Sequence, residues 1–309
     1  MKKVFIDGKA GTTGLRIAER LAMRDDVEII SLSDNLRKDY EARKKIINEA
    51  DIVFLCLPDA AAIEAVGMVE NESTVVIDAS TAHRTNPDWA YGLAELGAEF
   101  EEKIKCSKRI AVPGCHASGF IALVYPLIKN GIIAKDTLLC AHSVTGSSGG
   151  GKGMIADYEN EGRDELLSAP RQYGLTQKHK HLPEMKKITG LDYEPVFCPI
   201  VSDFYSGMEV TVPLFKAQLL KGDINEIKKI YSEIYTTSLI KYKEVNDEGG
   251  FISANKYRNK DTMSIEVYGN DDRILLVARY DNLGKGASGA AVECLNIKLG
   301  CDKTKNLEI

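Results

Sequence analysis

The sequence predicts an α/β protein with two domains: a Rossmann-like, doubly wound parallel sheet, and an α+β domain with a mostly antiparallel sheet. Three observations support this prediction. Short apolar runs alternate with helical segments early in the chain, a glycine-rich turn follows the first run, and runs of strands replace the alternation after residue 120. The length of 309 residues also exceeds that at which one hydrophobic core usually stops growing.

The first domain is predicted from four segments with the character of buried parallel strands. Each is almost entirely apolar and ends in Gly, Ser, Asp or Pro, as strands covered on both faces do. They are VFI (4–6), VEIISLS (27–33), DIVFLCLP (51–58) and TVVIDAS (74–80). Between them lie TGLRIAERLAMRD, YEARKKIINEA and AAAIEAVGMVE, whose apolar residues recur at helical spacing. This βαβ order indicates a doubly wound parallel sheet.

The second domain is predicted from a change of pattern. A helix from about Ser118 to Lys129 precedes a strand, LLCAHSVTG, and a Gly/Ser-rich loop, GSSGGGKG. Further strands are expected at FCPIV, MEVTVPLF, SIEVYGN and RILLVARYD, with a helix near INEIKKIYSEIYTTSLI. The last helix, GASGAAVECLNIKL, is expected to pack on the first domain. We therefore expect residues 1–115 with 286–309 to form the first domain, and 116–285 to form a domain for catalysis, substrate binding and oligomerisation.

Composition and charge favour a small-molecule partner. The net charge of −5 gives no general attraction to nucleic acid or to anionic membranes. No apolar run has the length of a membrane span, and the N-terminal apolar run is too short for a signal-peptide core. Seven cysteines without a CxxC pair indicate free thiols in the cytoplasm and support no metal site.

A phosphate-binding turn is predicted at IDGKAGTTGLRIAERL, residues 6–21. Gly8, Gly11 and Gly14 lie between the first strand and the first helix, where glycines allow a pyrophosphate to approach the backbone closely. The spacing GxxGxxG alone is a weak signal, and its position after a strand strengthens it. The alternative is a tight turn that binds no ligand.

The segment after the second strand, SLSDNLRKDY, leaves the choice of dinucleotide open. Asp34 suits the ribose 2′-hydroxyl of NAD, whereas Ser33, Arg37 and Lys38 suit the 2′-phosphate of NADP. The alternative for the two basic residues is a solvated helix start.

Cys115 is the predicted nucleophile. It follows Pro113-Gly114 and precedes an apolar run at helical spacing, so its sulfur lies at a helix start, where a thiolate is stabilised. The alternative is a buried small residue, and that interpretation is preferred for the cysteines within apolar segments: Cys56, Cys140, Cys198 and Cys294.

The proton carrier is expected in QKHKHLPEM, residues 177–185. His179 or His181 there can exchange a proton near neutral pH, although HKH can also be an exposed basic turn. His116 is a weaker candidate, because neighbouring residues at a helix start point in different directions.

Taken together, the GxxGxxG turn, PGCHASGFIALVYPL and NLGKGASGAAVECLN resemble the N-acetyl-gamma-glutamyl-phosphate reductases of arginine biosynthesis, relatives of the aspartate-semialdehyde dehydrogenases. The resemblance covers nearly the whole chain, in the family's order of motifs, with the length of the shorter form. It implies that NADPH reduces an acyl phosphate to an aldehyde and that inorganic phosphate is released.

The resemblance also implies roles for individual residues. Cys115 displaces phosphate to form a thioester, and His181 moves the proton, with His179 as second choice or substrate contact. The family motif His-x-His-x-Pro-Glu is kept, so Glu184 is expected to orient an imidazole. Anion contacts are expected from Arg84, which matches the family's Asp-x-Ser-Ala-Asp-Phe-Arg element.

Further anion contacts are expected in SVTGSSGGGK, where N–H and O–H groups of Ser143, Gly146 and Ser147 face the phosphate and Lys152 adds a charge. The alternative for this stretch is a flexible connection with a solvated lysine.

For the cofactor, the resemblance prefers NADP over NAD and implies two groups of residues. Those expected at the pyrophosphate are Gly8, Gly11, Thr12, Thr13 and Gly14. Those expected near the nicotinamide are Asn282, Gly284, Lys285 and Gly286. Such enzymes form homodimers or homotetramers through the second domain. The loop after the second strand departs from the long form's Ser-rich text, so Arg37 or Lys38 would have to bind the 2′-phosphate.

Three alternatives stay open. An aspartate-semialdehyde dehydrogenase performs the same chemistry on a shorter substrate, but usually carries an Asn-Cys pair. A carrier-linked acyl-phosphate reductase of lysine biosynthesis needs a basic face for its acidic carrier. A nucleotide-binding regulator would have lost the nucleophile or its base, and both are present here.

Overall fold

The computed structural model describes all residues, 1–309, and the chain forms two compact units. The first unit comprises Met1–Ala94, Ala98–Pro113 and Ala287–Leu307. The second comprises Glu95–Gly97, Gly114–Gly286 and Glu308–Ile309. The sequence placed the change of domain at 115 and 286, and did not separate the two short segments of the second unit.

The first unit contains six strands and five helices. The strands are β1 (Lys2–Asp7), β2 (Val27–Ile30), β3 (Ile52–Leu55), β4 (Val75–Asp78), β5 (Ala90–Tyr91) and β6 (Arg109–Ala111). The helices are α1 (Thr12–Ala22), α2 (Tyr40–Glu49), α3 (Asp59–Gly67), α4 (Ala98–Cys106) and, near the end of the chain, α9 (Gly289–Leu299).

All strands of the first sheet are parallel, in the order β2-β1-β3-β4-β6-β5. Both β3 and β4 are buried along their whole length, which explains why all their residues except Asp78 are apolar. Helix α9 packs against both α1 and α4, and it also contacts β4. The predicted doubly wound sheet is confirmed, although β2 ends at Ile30, three residues before the predicted end at Ser33.

The second unit contains seven strands and four helices. The strands are β7 (Cys140–Gly146), β8 (Arg171–Gln172), β9 (Val196–Ser202), β10 (Met208–Phe215), β11 (Ile240–Tyr242), β12 (Met263–Gly269) and β13 (Arg273–Tyr280). The helices are α5 (Cys115–Lys129), α6 (Gly151–Glu159), α7 (Leu182–Thr189) and α8 (Ile224–Ile234).

The second sheet runs β11-β12-β13-β10-β7-β9-β8. Two pairs, β11 with β12 and β7 with β9, are parallel, and the other pairs are antiparallel. A mostly antiparallel sheet is therefore confirmed. Burial alternates along β10, so alternate side chains of this strand face the core. Helix α5 packs against β10 and β13.

Three predicted elements differ from the observed ones. Helix α5 begins at Cys115 rather than at Ser118, and α8 ends at Ile234, before the predicted apolar extension. The predicted Gly/Ser-rich loop is wrong: residues Ser147–Gly150 form a 3₁₀ turn and Gly151 begins α6. No helix combines the length and the apolar character needed to cross a membrane.

Candidate active site

The glycine turn of the first unit leaves no room for side chains. Gly8 has φ of +87°, and a β-carbon there would lie 2.3 Å from the carbonyl oxygen of Cys56. A β-carbon on Gly14 would lie 2.5 Å from the carbonyl oxygen of Gly8. Gly11 precedes α1, and no side-chain oxygen caps this helix. The first-turn amide groups are therefore left for an anion.

A cavity of about 660 Å³ lies beside this turn, at the carboxyl ends of β1, β2 and β3. Gly8, Gly11, Asp34, Arg37 and Lys38 are among its lining residues. A smaller pocket of about 190 Å³ is lined by Gly11, Thr12, Thr13 and Gly14, among others. This edge of a parallel sheet is where dinucleotides bind.

Ser33 does not belong to the cavity. Its hydroxyl donates to Oδ1 of Asn35 at 2.6 Å on the surface, and Ser31 and Leu32 line the wall instead. β2 ends before this residue, and the contact predicted between Ser33 and a 2′-phosphate stays a prediction.

A buried ion pair supports the glycine turn and was missed by the sequence analysis. Arg43 of α2 donates through Nη2 to Asp7 at 2.9 Å and through Nη1 to Glu64 at 2.8 Å. Burial raises the pKa of Asp7, against the lowering by Arg43. Asp7 directly precedes Gly8, so the guanidinium holds the end of β1 from which the turn starts.

Arg84 is buried in the first unit and held by main-chain carbonyls. Its Nε donates to Val112 at 2.9 Å and its Nη2 to Ala79 at 3.0 Å. The preceding residue, His83, bonds Asp78 at 2.7 Å and stacks on Trp89. The loop that carries Arg84 is thus rigidly held, while its contact with an anion stays a prediction.

Cys115 is the first residue of α5 in the second unit. Gly114 precedes it, and no side chain caps the helix, so the first turn keeps its partial positive charge. Cys115 is partly exposed, whereas Cys294 is buried in the core. The thiol therefore lies at the predicted helix start.

The N-terminal ends of α5 and α7 meet through Glu184. This side chain is buried in the first turn of α7, and its Oε1 accepts a hydrogen bond from the N–H of Gly114 at 2.8 Å. His181 is the residue before α7, with Leu182 and Pro183 following it. The contact places the start of α5 beside the histidine motif, while the predicted link from Glu184 to an imidazole stays a prediction.

Three histidine rings cluster at this point. The centroid of His116 lies 5.8 Å from that of His179 and 5.7 Å from that of His181, and the latter two are 4.7 Å apart. Nδ1 of His179 accepts from the backbone N–H of His181 at 3.2 Å. Burial lowers the pKa of His179, so its neutral ring carries the proton on Nε2.

His116 is fully engaged inside the protein. Its Nδ1 bonds the hydroxyl of Ser143 at 2.6 Å and its Nε2 the hydroxyl of Tyr173 at 2.7 Å. Burial lowers the pKa of His116 to about 3, so the ring stays neutral at pH 7. This explains why the residue next to the cysteine is a poor candidate for the base.

Tyr173 is a neighbour of the site that the sequence did not reveal. Burial, with a smaller contribution from the charge of Cys115, raises its pKa, so the hydroxyl remains protonated. Ser143, Gly146 and Ser147 had been expected to contact phosphate, but the expected donors of all three already have partners. Ser143 bonds His116, and the N–H groups of Gly146 and Ser147 donate to main-chain carbonyls at 3.1 and 2.9 Å.

Lys152 lies on the exposed surface of α6. Ser143, Gly146 and Ser147 are hydrogen-bonded within the sheet and the following turn, and their contact with a phosphate stays a prediction.

Residues 282–286 lie close to Cys115. A β-carbon on Gly286 would be 3.1 Å from the β-carbon of Cys115, and one on Gly284 would be 2.0 Å from a carbonyl oxygen. Asn282 accepts from the N–H of Gly207 at 2.9 Å and donates to Ser148 at 3.0 Å. These residues are fixed by internal contacts.

Lys285 forms a buried ion pair. Its Nζ lies 2.5 Å from Oε1 of Glu95, and both side chains are almost completely buried. The charge of Lys285 is thus balanced by Glu95 inside the protein. The sequence analysis placed Lys285 near the nicotinamide and did not predict this ion pair. No group of three or more His, Cys, Asp or Glu side chains could hold a metal ion.

Comparison with known proteins agrees with this geometry. Two family models match: semialdehyde dehydrogenase, NAD binding domain, over residues 3–104, and semialdehyde dehydrogenase, dimerisation domain, over residues 115–282. Proteins named N-acetyl-gamma-glutamyl-phosphate reductase from Brucella ovis and Brucella abortus are 42% identical over 306 residues, covering 96% of this chain and 99% of theirs. The chain belongs to the N-acetyl-gamma-glutamyl-phosphate reductase family.

Solved structures are similar in fold. Aspartate semialdehyde dehydrogenase II from Vibrio cholerae has a TM-score of 0.73 at 15% identity, covering 97% of this chain and 99% of its own. Aspartate semialdehyde dehydrogenase from Francisella tularensis has a TM-score of 0.72 at 16% identity, covering 96% and 99%. At this identity the likeness concerns the fold alone.

The N-acetyl-gamma-glutamyl-phosphate reductase family carries an NAD-binding domain, and the first unit fits such a cofactor. The absence of β-carbons at Gly8 and Gly14 lets the turn pack closely on the main chain of Cys56 and Gly8, and the uncapped start of α1 offers amide groups to a pyrophosphate. The chain is thus an oxidoreductase of this family that uses a nicotinamide dinucleotide.

Proposed function

We propose that the chain reduces N-acetyl-gamma-glutamyl phosphate to N-acetylglutamate semialdehyde with NADPH and releases inorganic phosphate. The observation that supports this best is a partly exposed thiol, Cys115, at an uncapped helix start beside a histidine cluster. The 42% identity to reductases of that name, over almost the entire chain, supports the substrate.

In the proposed first step, the sulfur of Cys115 attacks the acyl carbon. The bond from this carbon to the phosphate oxygen breaks, and a thioester remains. The first-turn amides of α5 stabilise the thiolate that attacks. His181 takes the thiol proton and passes it to the departing phosphate.

In the second step, the thioester carbon is reduced, and a nicotinamide dinucleotide held at the turn of Gly8, Gly11 and Gly14 would supply the hydride. Nε2–H of His179 donates to the carbonyl oxygen, on which negative charge develops. The carbon–sulfur bond then breaks, releasing the aldehyde and the Cys115 thiolate, which takes a proton from water. This division of roles follows from the bond to Nδ1 of His179, which leaves its neutral ring a donor at Nε2.

The nucleophile is tested with Cys115→Ala and Cys115→Ser. Both should abolish phosphate-dependent oxidation of the semialdehyde, the convenient reverse direction, while NADP binding survives. Cys198→Ala is the matched control, since it removes another partly exposed thiol of the same unit. Substantial turnover by Cys115→Ala would disprove the mechanism.

The histidines are tested separately. His181→Asn should lower kcat by at least roughly 10²-fold, the effect of a missing acid/base. His179→Asn should cost less, because it removes a hydrogen-bond donor but leaves the proton carrier. A larger loss in His179→Asn would reverse the assignment.

The substrate is tested by comparing three acyl chains. N-acetylglutamate semialdehyde should be oxidised with phosphate far more efficiently than aspartate semialdehyde or a carrier-bound semialdehyde. Equal or greater kcat/KM for either competitor would overturn the assignment of the substrate, without affecting the role of Cys115.

The preference for NADP is supported by the cavity of the first unit. Arg37 and Lys38 both line it, and the carboxylate of Asp34, which also lines it, is 4.0 Å from Arg37 and fully exposed. A double variant, Arg37→Ser with Lys38→Ser, should raise the KM for NADP at least roughly tenfold and leave the KM for NAD unchanged, because only NADP carries the 2′-phosphate. Equal effects on both would exclude this role.

Arg84 is proposed to bind an anionic group of the substrate, since two main-chain carbonyls orient its guanidinium. Arg84→Lys should raise the KM for the semialdehyde or phosphate more than the KM for NADP, because lysine lacks the planar donor pair. A change in the KM for NADP alone would contradict this role.

We also propose a cytoplasmic homodimer. The seven free cysteines suit a reducing compartment. The matching dimerisation-domain model and the exposed apolar side chains Phe215 and Leu275 on adjacent strands suit association through the second unit. Light scattering after gel filtration should give about twice the 34.0 kDa of one chain; a monomer would contradict the assembly.

A further inference from the structure

The first turn of α5 contains an inserted hydroxyl group. Tyr280, the last residue of β13, is completely buried, and its hydroxyl donates to the carbonyl oxygen of Cys115 at 2.5 Å. The same hydroxyl oxygen accepts from the N–H of Gly119 at 3.0 Å. Residues 115 and 119 are four apart, so a regular helix would join this carbonyl and this N–H directly. The hydroxyl therefore lies between the partners of the second helical hydrogen bond, while the first, from the N–H of Ser118 to the carbonyl of Gly114, is intact at 2.8 Å.

Two features make this arrangement stable. Burial raises the pKa of Tyr280 well above its usual value, so the group stays protonated and keeps donating. Residue 119 is a glycine, and a β-carbon there would lie 2.7 Å from the Tyr280 oxygen and 2.8 Å from Cγ2 of Val210. Only glycine leaves space for the hydroxyl.

The carbonyl of Cys115 is thus fixed from one direction by Tyr280, and its β-carbon packs against Gly286. Both contacts act on the residue that carries the thiol. We propose that Tyr280 is a positioning residue for Cys115: its hydroxyl spaces the first turn of α5 and thereby sets the direction of the thiol. This inference rests on the proposed role of Cys115 as the nucleophile.

The same helix offers a matched control. Pro126 lies inside α5 and has no N–H for the carbonyl of Ala122, four residues earlier. The hydroxyl of Tyr235 donates to that carbonyl instead, at 2.6 Å. Tyr280 and Tyr235 are therefore two buried tyrosines that each bond a carbonyl of α5, one at the nucleophile and one far along the helix.

The two hydroxyls differ in what replaces them. In Tyr280→Phe, the N–H of Gly119 can close directly onto the carbonyl of Cys115, so little stability is lost but the first turn tightens. In Tyr235→Phe, no amide can replace the hydroxyl, so the carbonyl of Ala122 remains unpaired and stability falls. Tyr280→Phe should therefore lower activity with little loss of stability, whereas Tyr235→Phe should lower stability with little loss of activity.

The experiment measures kcat and KM for phosphate-dependent oxidation, thermal unfolding, and the rate at which iodoacetamide alkylates Cys115, followed by mass spectrometry of its peptide. Tyr280→Phe should lower kcat by roughly 10- to 100-fold, the effect of a displaced nucleophile, with each KM within about twofold of wild type. Its alkylation rate should change by more than about threefold and its Tm little. Tyr235→Phe should lower Tm and leave kcat and alkylation unchanged.

A second variant guards against misfolding of the first. Gly119→Ala puts a methyl group in the space of the hydroxyl and should reproduce the loss of kcat. Wild-type kcat and alkylation in folded Tyr280→Phe or Gly119→Ala would overturn the inference, as would equal losses in Tyr280→Phe and Tyr235→Phe. Inactive Cys115→Ala beside fully active Tyr280→Phe would reject the positioning role alone, whereas active Cys115→Ala would reject the proposed mechanism itself.

Discussion

The second unit should become less stable as the pH decreases below 6.5, because His116 is buried as a neutral ring. Only 3% of this residue is exposed, and burial lowers its pKa from 6.5 to about 3. The unfolded chain takes up a proton below pH 6.5 that the folded chain does not bind until about pH 3. Protonation therefore favours unfolding, and the contribution of His116 is complete above pH 6.5 and is lost as the pH falls toward 3.

The magnitude follows from a single proton. The free energy of unfolding should fall by at most about 1.4 kcal/mol per pH unit in this range. Between pH 7.5 and pH 5, His116 alone should cost about 2 kcal/mol. Solvent screens this contribution little, because the His116 ring is buried and both of its nitrogens are hydrogen-bonded.

The assay is urea unfolding at pH 7.5, 6 and 5. In His116→Gln, the decline with pH should be smaller than in wild type by about 2 kcal/mol at pH 5. The control is His142→Gln, which removes an exposed histidine next to Ser143 on β7; its stability should decline with pH as that of wild type does. NMR of ¹³C-labelled histidine provides a second measurement: titration of the His116 ring between pH 5 and 8 would refute the reasoning.

Two further predictions concern the first unit. Gly8→Ala should raise the Kd for NADP(H) at least roughly tenfold, because its methyl group would meet a carbonyl oxygen 2.3 Å away and L residues rarely adopt φ of +87°. Fluorescence titration checks this, with Gly67→Ala, a glycine in open space, as the control that should bind normally. Arg43→Leu should lower the free energy of unfolding by about 3 kcal/mol, because Asp7 would remain buried without its cation. Adding Asp7→Asn should recover part of this loss; no recovery in denaturant unfolding would contradict the pairing.

Much of the fold followed from local patterns. The segment MEVTVPLF coincides with β10, Met208–Phe215, because alternating burial leaves a period of two in the sequence. Strands β3 and β4 were predictable for the opposite reason, since burial on both faces leaves them apolar at every residue except Asp78. Helix α6 was missed because two of its first three residues, Gly151 and Gly153, are glycines, which normally disfavour a helix.

The candidate site was only partly predictable. Cys115 and the HKH segment stood out because helix starts and histidine motifs are local features. Tyr173 and Tyr280 did not, because only the fold brings them to the site. Tyr173 is 57 residues from its partner His116 in the sequence, and Tyr280 is 165 residues from Cys115. Ser143 was assigned to phosphate from its Gly/Ser-rich surroundings, and the hydrogen bond to His116 became visible only in the fold.

The charges around Cys115 favour a base over a permanent counter-ion. A cysteine–imidazolium pair needs a histidine that is protonated at neutral pH, and burial lowers the pKa of both His116 and His179. The first-turn amides of α5 are then the main support for the thiolate, and one nearby amide, that of Gly114, is already bonded to Glu184. The thiolate is therefore formed most effectively when the substrate is present and His181 removes the proton, which is the role proposed for it. On this argument, His181→Asn should slow formation of the thioester more than its reduction.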